Sequence, residues 1–210
     1  ENHPDAPRRL ADALDAPATP STWQQTLREV AARLPADPGE AFALKVLDVL
    51  RPLRADGDVI AAAAVHAWPA LRAALPAAVV SEPRLATLLE GLAASEQVRS
   101  LHAQREKRGN AEGLRRLLLA LVKDLRAVLV LLAVQLVRLR EAGALDEPAR
   151  RDLAELTADI HAPLANRLGI WQLKWELEDL AFRYLQPQTY KQIASQLDEK
   201  RTGRERYIVT

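Results

Sequence analysis

The chain has 210 residues, 49% of them hydrophobic, and carries 29 basic against 28 acidic side chains. That is length and apolar content enough for one sizeable core, and a charge balance that excludes a whole-domain grip on nucleic acid while leaving local basic patches open. The absence of cysteine excludes disulfides, Cys-ligated zinc and thiol catalysis.

The sequence does not open on a basic segment followed by an apolar run, so no signal peptide is expected. It contains no methionine, as expected of a processed or excised piece. Residues 1–20, with Pro4, Pro7, Pro17 and Pro20, read as a flexible lead-in. Ser21 is a candidate N-cap, after which Trp23, Leu27, Val30, Ala31 and Leu34 share one face of a 3.6-residue period until Pro35 stops the helix. A second helix is expected over about residues 40–53, with Leu44, Leu47 and Leu50 apolar. Ala55-Asp-Gly-Asp58 reads as a turn, with Asp58 placed to cap the next helix. The Ala61-Ala-Ala-Ala64 tract of that helix would let neighbouring helices approach closely.

Pro69 and Pro76 break the following region, and Ser81-Glu-Pro starts a helix carrying Leu85, Leu88, Leu89 and Leu92. Residues 96–111 are polar and basic. A single long helix is then expected over about 112–142. Its apolar run Ala127–Val137 lies between Arg126 and Arg138 and is short of the roughly 18 residues that a bilayer span needs, so it reads as a buried core helix. Leu145-Asp-Glu-Pro148 is a capped restart. Helices are expected to continue to Leu168, with Gly169 as the C′ residue, and to run again over 171–185 and about 188–201. No strand pattern and no Gly-rich phosphate loop is visible. The fold class expected is all-α.

Two blocks carry a resemblance: Leu114-Arg-Arg-Leu-Leu-Leu-Ala-Leu-Val-Lys-Asp-Leu-Arg126, and the stretch from His161-Ala-Pro-Leu-Ala-Asn-Arg-Leu-Gly-Ile-Trp-Gln-Leu-Lys-Trp-Glu-Leu-Glu-Asp179 through Phe182-Arg-Tyr-Leu to Pro187. They resemble the N-terminal half of the RelA/SpoT proteins, which make and degrade (p)ppGpp. The Trp-Gln-Leu-Lys-Trp-Glu-Leu-Glu-Asp variant is nearer the synthesis-only RelA branch. The resemblance implies an HD-domain-like helical bundle of roughly eight to ten helices, with a lead-in at 1–20, a degenerate HD hydrolase-like domain at 21–185 and a helical connector at 186–210.

In active members, the resemblance implies, a manganese ion is held by a His, a His-Asp doublet and a later Asp, and a Glu-Asp pair activates water. Imidazole and carboxylate suit such an ion, and the bound water becomes a nucleophile near neutral pH. Placed on this chain, the doublet keeps its histidine as His66 but has Ala67 in place of the aspartate. The Glu-Asp pair falls on Ala70 and Leu71, the first metal His on Phe42 and the last metal Asp on Val134. Register shifts restore none of them. The only histidines are His3, His66, His102 and His161, and neither Ala67–Val80 nor Val128–Leu139 contains a carboxylate. No catalytic residue, metal site or cofactor is therefore expected in this domain.

Each remaining motif has a plain alternative. His66 reads as a partly buried histidine bonded locally. Asn166 and Arg167, vestigial nucleotide-pocket candidates by the resemblance, read otherwise as helix-end packing and capping. Trp171, Lys174 and Trp175 are interdomain candidates: the tryptophans suit core or interdomain packing, and Lys174, Glu176, Glu178 and Asp179 read as a solvated face. Arg99-Ser-Leu-His-Ala-Gln-Arg-Glu-Lys-Arg108 is the best basic patch and otherwise a solvated loop. Glu155 to Asp159 with His161 read as surface charge.

The function expected is that of a catalytically inactive regulatory domain in a cytoplasmic (p)ppGpp synthetase, a GTP pyrophosphokinase of the stringent response. Its partners would be the synthetase domain of the same chain and, through the parent's C-terminal half, the ribosome; no membrane is involved. The alternatives are a non-catalytic module that binds guanine nucleotide or (p)ppGpp, and a residual manganese-dependent (p)ppGpp 3′-pyrophosphohydrolase.

Overall fold

The computed structural model describes residues 8–14, 21–103 and 111–196. Among these there are helices and turns and no strand, as the all-α expectation requires. They divide into two compact units, residues 1–138 and 139–210.

The first unit is built around α4 (Gly57–Ala67). Seven of its residues are buried, among them all four alanines of Ala61–Ala64. A helix apolar on every side belongs in the middle of a core, and α4 packs against both α3 (Pro38–Leu50) and α7 (Pro83–Ala103). Methyl-sized side chains permit that double packing. Its N-cap is Asp56, which accepts from the Val59 N–H at 2.9 Å. The sequence pointed to Asp58, but Gly57 already has helical geometry and moves the cap one residue further back. Ser21 caps α2 (Thr22–Arg33) as expected, its own N–H donating to Gln24 Oε1 at 3.0 Å.

Residues 8–14 correct the expectation of a flexible lead-in. They form a short helix, α1 (Leu10–Ala13), with Leu10 wholly buried. Glu40, on α3 and only 3% exposed, accepts from Arg9 Nε and from the Leu10 N–H, both at 2.8 Å. Arg9 also donates to the Leu34 carbonyl at 2.7 Å, Arg51 to that of Ala13 at 3.0 Å, and Arg8 pairs with Asp48 at 2.7 Å. In the sequence this segment is only part of a proline-rich lead-in. The buried carboxylate that receives it lies 30 residues away, and no local pattern reveals it. The rest of that lead-in, 1–7 and 15–20, lies outside the described residues.

Short α5 (Pro69–Ala74) and α6 (Ala77–Val80) sit between the prolines that break the chain. Trp68, at the junction of α4 and α5, is fully buried. Its ring lies so close to the start of α3 that a Cβ added to Gly39 would meet Trp68 Cδ1 at 2.7 Å. Among the described residues the indole N–H reaches no acceptor at full hydrogen-bonding geometry. Its influence falls on Asp37, the N-cap of α3. The indole holds that carboxyl below the usual range, the Glu40 N–H adds to this and burial opposes it.

The expected long helix over 112–142 is two, α8 (Ala111–Leu121) and α9 (Arg126–Glu141). Asp124 makes the break by accepting from the Arg126 N–H at 2.9 Å, the competition that short polar side chains offer a helix. Arg126 donates to both Asp124 oxygens and, at 2.7 Å, to Asp56 at the head of α4. Among the described residues this break and the four-residue helices bring the α-helices to twelve, with residues 187–196 helical besides, above the eight to ten expected. The Ala127–Val137 run is a core helix as expected, and no described helix is long and apolar enough to cross a membrane.

The second unit contains α10 (Glu147–Leu156), α11 (Ala162–Arg167) and α12 (Trp171–Leu185), with residues 187–196 also helical. Residues 197–210 of the expected connector lie outside the described residues. Asp146 caps α10. Between α10 and α11 the chain widens into a π turn, Thr157–His161, in which the Ala162 N–H bonds the Thr157 carbonyl five residues back. Pro163 accounts for it: proline has no N–H for an i−4 bond and its ring crowds that carbonyl, so the ladder opens one turn earlier. α11 ends in a Schellman motif. Gly169 has φ +71°, its N–H bonds the Asn166 carbonyl at 3.1 Å and the Ile170 N–H bonds that of Ala165 at 2.9 Å.

Two outcomes follow for the first unit. Ala63→Leu forces a four-carbon side chain into a contact built for methyls and is expected to cost about 3 kcal/mol in urea denaturation, against about 2 kcal/mol for Glu40→Ala, which unties α1. Arg126 produces a pH signature. It holds Asp124 below its ordinary range by direct hydrogen bonding; at Asp56 burial pushes upward, but the Val59 N–H and Arg126 outweigh it and the net direction is down. Both groups therefore lend stability that is complete above the unfolded value of 3.8 and is lost as pH falls through their folded values. Arg126→Gln is expected to lower stability by about 1 kcal/mol at pH 7, with the wild-type and variant denaturation midpoints converging as pH falls below about 4.

Candidate functional site

His66 is the penultimate residue of α4, and Ala67, which ends the helix, is buried. Ala70 and Leu71 lie on the first turns of α5, Leu71 with no exposure at all. Phe42 is half-buried on α3, the helix that packs against α4. Val134 is buried on α9, one turn before Arg138 and on the same side of that helix. These positions, predicted from separate segments, all belong to the first unit.

Charge around His66 comes from side chains that the sequence did not single out for it. Burial is the largest influence on its imidazole and lowers the pKa. Arg138 adds to that, Glu96 opposes it, and Arg72 and Arg99 lower it further. Arg138 is itself pushed down by burial and by Arg99, with Glu96 the counterweight. Glu96 is engaged on both sides, by Arg99 one turn on and by Arg138 at 3.9 Å. A neutral imidazole thus faces three guanidiniums and one carboxylate already in use. Among the described residues no three His, Cys, Asp or Glu side chains come together in a way that could hold a metal ion. The donor set at His66 does not fit a divalent cation: one nitrogen ligand is too few, and the local field is positive.

Arg99 stands on the last turns of α7. So the first part of the basic patch is helical rather than a loop, and residues 104–108 of it lie outside the described residues. The signal that was available for Arg138 was its place at the end of an eleven-residue apolar run, where a charge is drawn toward the core by its neighbours.

The remaining candidates belong to the second unit. His161 is 5% exposed and not surface charge; its Nδ1 lies 3.3 Å from the Leu156 carbonyl, a contact that requires the proton on Nδ1. Asn166 and Arg167 are exposed at the end of α11, where the Asn166 carbonyl receives the Gly169 N–H. Trp171 and Trp175 do not enter the core. The buried face of α12 is Leu173, Leu177 and Ala181, and the two indoles stand 54% and 64% exposed. Lys174 is correspondingly not on a solvated face. Its side chain, 13% exposed, lies against both rings, 4.1 Å from the Trp175 centroid and 5.7 Å from that of Trp171, and donates to Glu178 at 2.8 Å. Glu176 is bound by Arg140 through two bonds of 2.5 and 2.7 Å. Both indoles thus meet Lys174 and are otherwise largely open to solvent.

The HD domain family matches residues 27–171. A GTP pyrophosphokinase of Photobacterium angustum is 48% identical over 120 residues, which is 57% of this chain and 16% of that protein. A probable guanosine-3′,5′-bis(diphosphate) 3′-pyrophosphohydrolase of Synechocystis is 51% identical over 100 residues, 48% of this chain and 13% of that protein. The GTP pyrophosphokinase rsh of Brucella ovis is 36% identical over 169 residues, 80% of this chain and 22% of that protein. The chain thus spans between about an eighth and a quarter of the length of these relatives. It belongs to the HD domain family, and the relatives it matches carry the pyrophosphokinase and pyrophosphohydrolase names that the resemblance to the RelA/SpoT proteins led one to expect.

Proposed function

We propose that this chain is the catalytically silent hydrolase-like domain of a cytoplasmic (p)ppGpp synthetase, and that it regulates the synthetase domain of the same protein. The observation that carries the reading is the surroundings of His66. Phosphohydrolysis by a metal-bound water needs several anionic or neutral ligands around one cation. Here Phe42, Ala67 and Val134 offer no ligand, Ala70 and Leu71 offer no base, and Arg72, Arg99 and Arg138 supply positive charge instead.

A domain without chemistry acts through differential contacts with its neighbour's states. Trp171 and Trp175, exposed and each lying against Lys174, suit such contacts. Aromatic anchors fixed before docking lose little side-chain entropy on binding. The parent would transfer pyrophosphate from ATP to GDP or GTP and engage the ribosome through its C-terminal half. A second reading, a guanine-nucleotide or (p)ppGpp binding module without catalysis, draws on those same guanidiniums around His66, since phosphates need cations to offset their charge.

Purified chain incubated with ppGpp and manganese is expected to release no pyrophosphate above a protein-free blank and to retain no stoichiometric manganese by mass spectrometry. Turnover would overturn the proposal. Binding of ppGpp abolished by Arg138→Gln, without turnover, would favour the second reading. In the protein that carries both domains, Trp171→Ser with Trp175→Ser is expected to change the synthesis rate severalfold while shifting stability by no more than about 0.5 kcal/mol. An unchanged rate, basal and stimulated, would remove the docking role.

A further inference from the structure

The second unit contains a cleft of about 330 Å³ that the proposed function does not use. It is lined by Arg150 and Arg151 of α10, Arg183 and Tyr184 of α12, and Tyr190 and Lys191 of the helical residues beyond, with Glu147 the one carboxylate in its wall. In a chain whose formal net charge is +1, four cations against one anion in one small cleft is a concentration, not the average.

Two of the cations are held by aromatic rings rather than by carboxylates. Arg151 is spent on Glu155, at 3.1 Å. Arg150 lies over the Tyr184 ring, 5.8 Å from its centroid, and Arg183 over Tyr190, at 6.0 Å. Tyr190 is set in turn by the edge of Phe182 and by its hydroxyl, which lies 3.4 Å from Asp179 Oδ2. Among the described residues Arg150, Arg183 and Lys191 have no carboxylate partner. A guanidinium stacked on an aromatic ring is fixed in orientation yet keeps its in-plane N–H donors free, and that fork matches phosphate oxygens. The larger cleft of the first unit offers the contrast: Asp56, Asp58 and Glu82 outnumber Arg84 and Arg126 there, and Arg126 is fully occupied.

We propose that this cleft binds a small phosphorylated ligand, its phosphates held by Arg150, Arg183 and Lys191. The small, partly enclosed volume favours a soluble phosphate ester or polyphosphate over a nucleic-acid strand, which needs an open groove. This site is independent of the guanidiniums around His66.

The test is calorimetric titration of the 210-residue chain with pyrophosphate and with GDP, at low and at physiological salt. Saturable binding is expected, weakened at least tenfold by Arg183→Gln and by Lys191→Gln, both exposed positions where the fold is not at stake, and by Arg150→Gln. Arg84→Gln and Arg72→Gln, in the first unit, should leave it unchanged. If GDP and pyrophosphate bind equally, the phosphates alone are recognised; if GDP binds tighter, the tyrosines take part through its base, and either result supports the site. No saturable heat up to about 5 mM ligand, affinity indifferent to Arg183→Gln and Lys191→Gln, or a single-stranded RNA dodecamer binding at least tenfold tighter than pyrophosphate would overturn it.

Discussion

The first unit depends on how closely other helices can come to α4. Four consecutive alanines, none more than 3% exposed, let α3 and α7 both lie against one short helix, so that a helix with almost no side-chain volume organises the core. Dispersion and burial then come from the neighbours' leucines and valines meeting the α4 backbone region closely, and any larger residue would hold them apart. The two ends of α4 are consequently fixed points. At its head Asp56 serves both as N-cap and as an acceptor for Arg126. At its tail stands His66, followed by a fully buried tryptophan that presses on Gly39.

That tail is where hydrolase chemistry would be placed by the resemblance, and its physics points elsewhere. The arginines that bear on the buried imidazole outnumber its one carboxylate, so the local field is positive. Such a field repels a divalent cation and favours an anion. In the second unit the same polarity recurs with a different construction, arginines laid on tyrosines rather than gathered about a histidine. Neither arrangement needs the carboxylates that the chain lacks between Ala67 and Val80 or between Val128 and Leu139.

Much of this was legible in the chain because the relevant signals are local. The alanine tract, the Ser21 and Asp146 caps, the stop at Gly169 and the apolar run after Arg126 each act over one or two turns, and all appear where the pattern put them. The failures share a cause as well. Arg9 finds Glu40, Arg126 finds Asp56 and Arg138 finds Glu96 across 31, 70 and 42 residues of sequence. Nothing in the local spacing marks either partner. Asp124 broke a helix that periodicity alone would have continued, because a side chain two residues from an N–H can take the bond that the helix would have made. The tryptophans of α12 have the helical spacing of core residues but lie off the Leu173–Leu177–Ala181 face, a phase that identity alone leaves open.

The π turn at Thr157–His161 has a consequence for how this segment can change over time. It holds one residue more than an α-helix would use, and each helical residue turns the chain by about 100°. Deleting any one residue there would rotate α11 by that angle and swing Ala162, Leu164 and Ala165, all now buried, toward water; it would also disturb the spacing that sets His161 Nδ1 3.3 Å from the Leu156 carbonyl. A single substitution leaves that helical phase intact, whereas a change of length does not. A segment constrained by its length in this way answers to the packing of α11, whatever chemistry the domain does or does not perform.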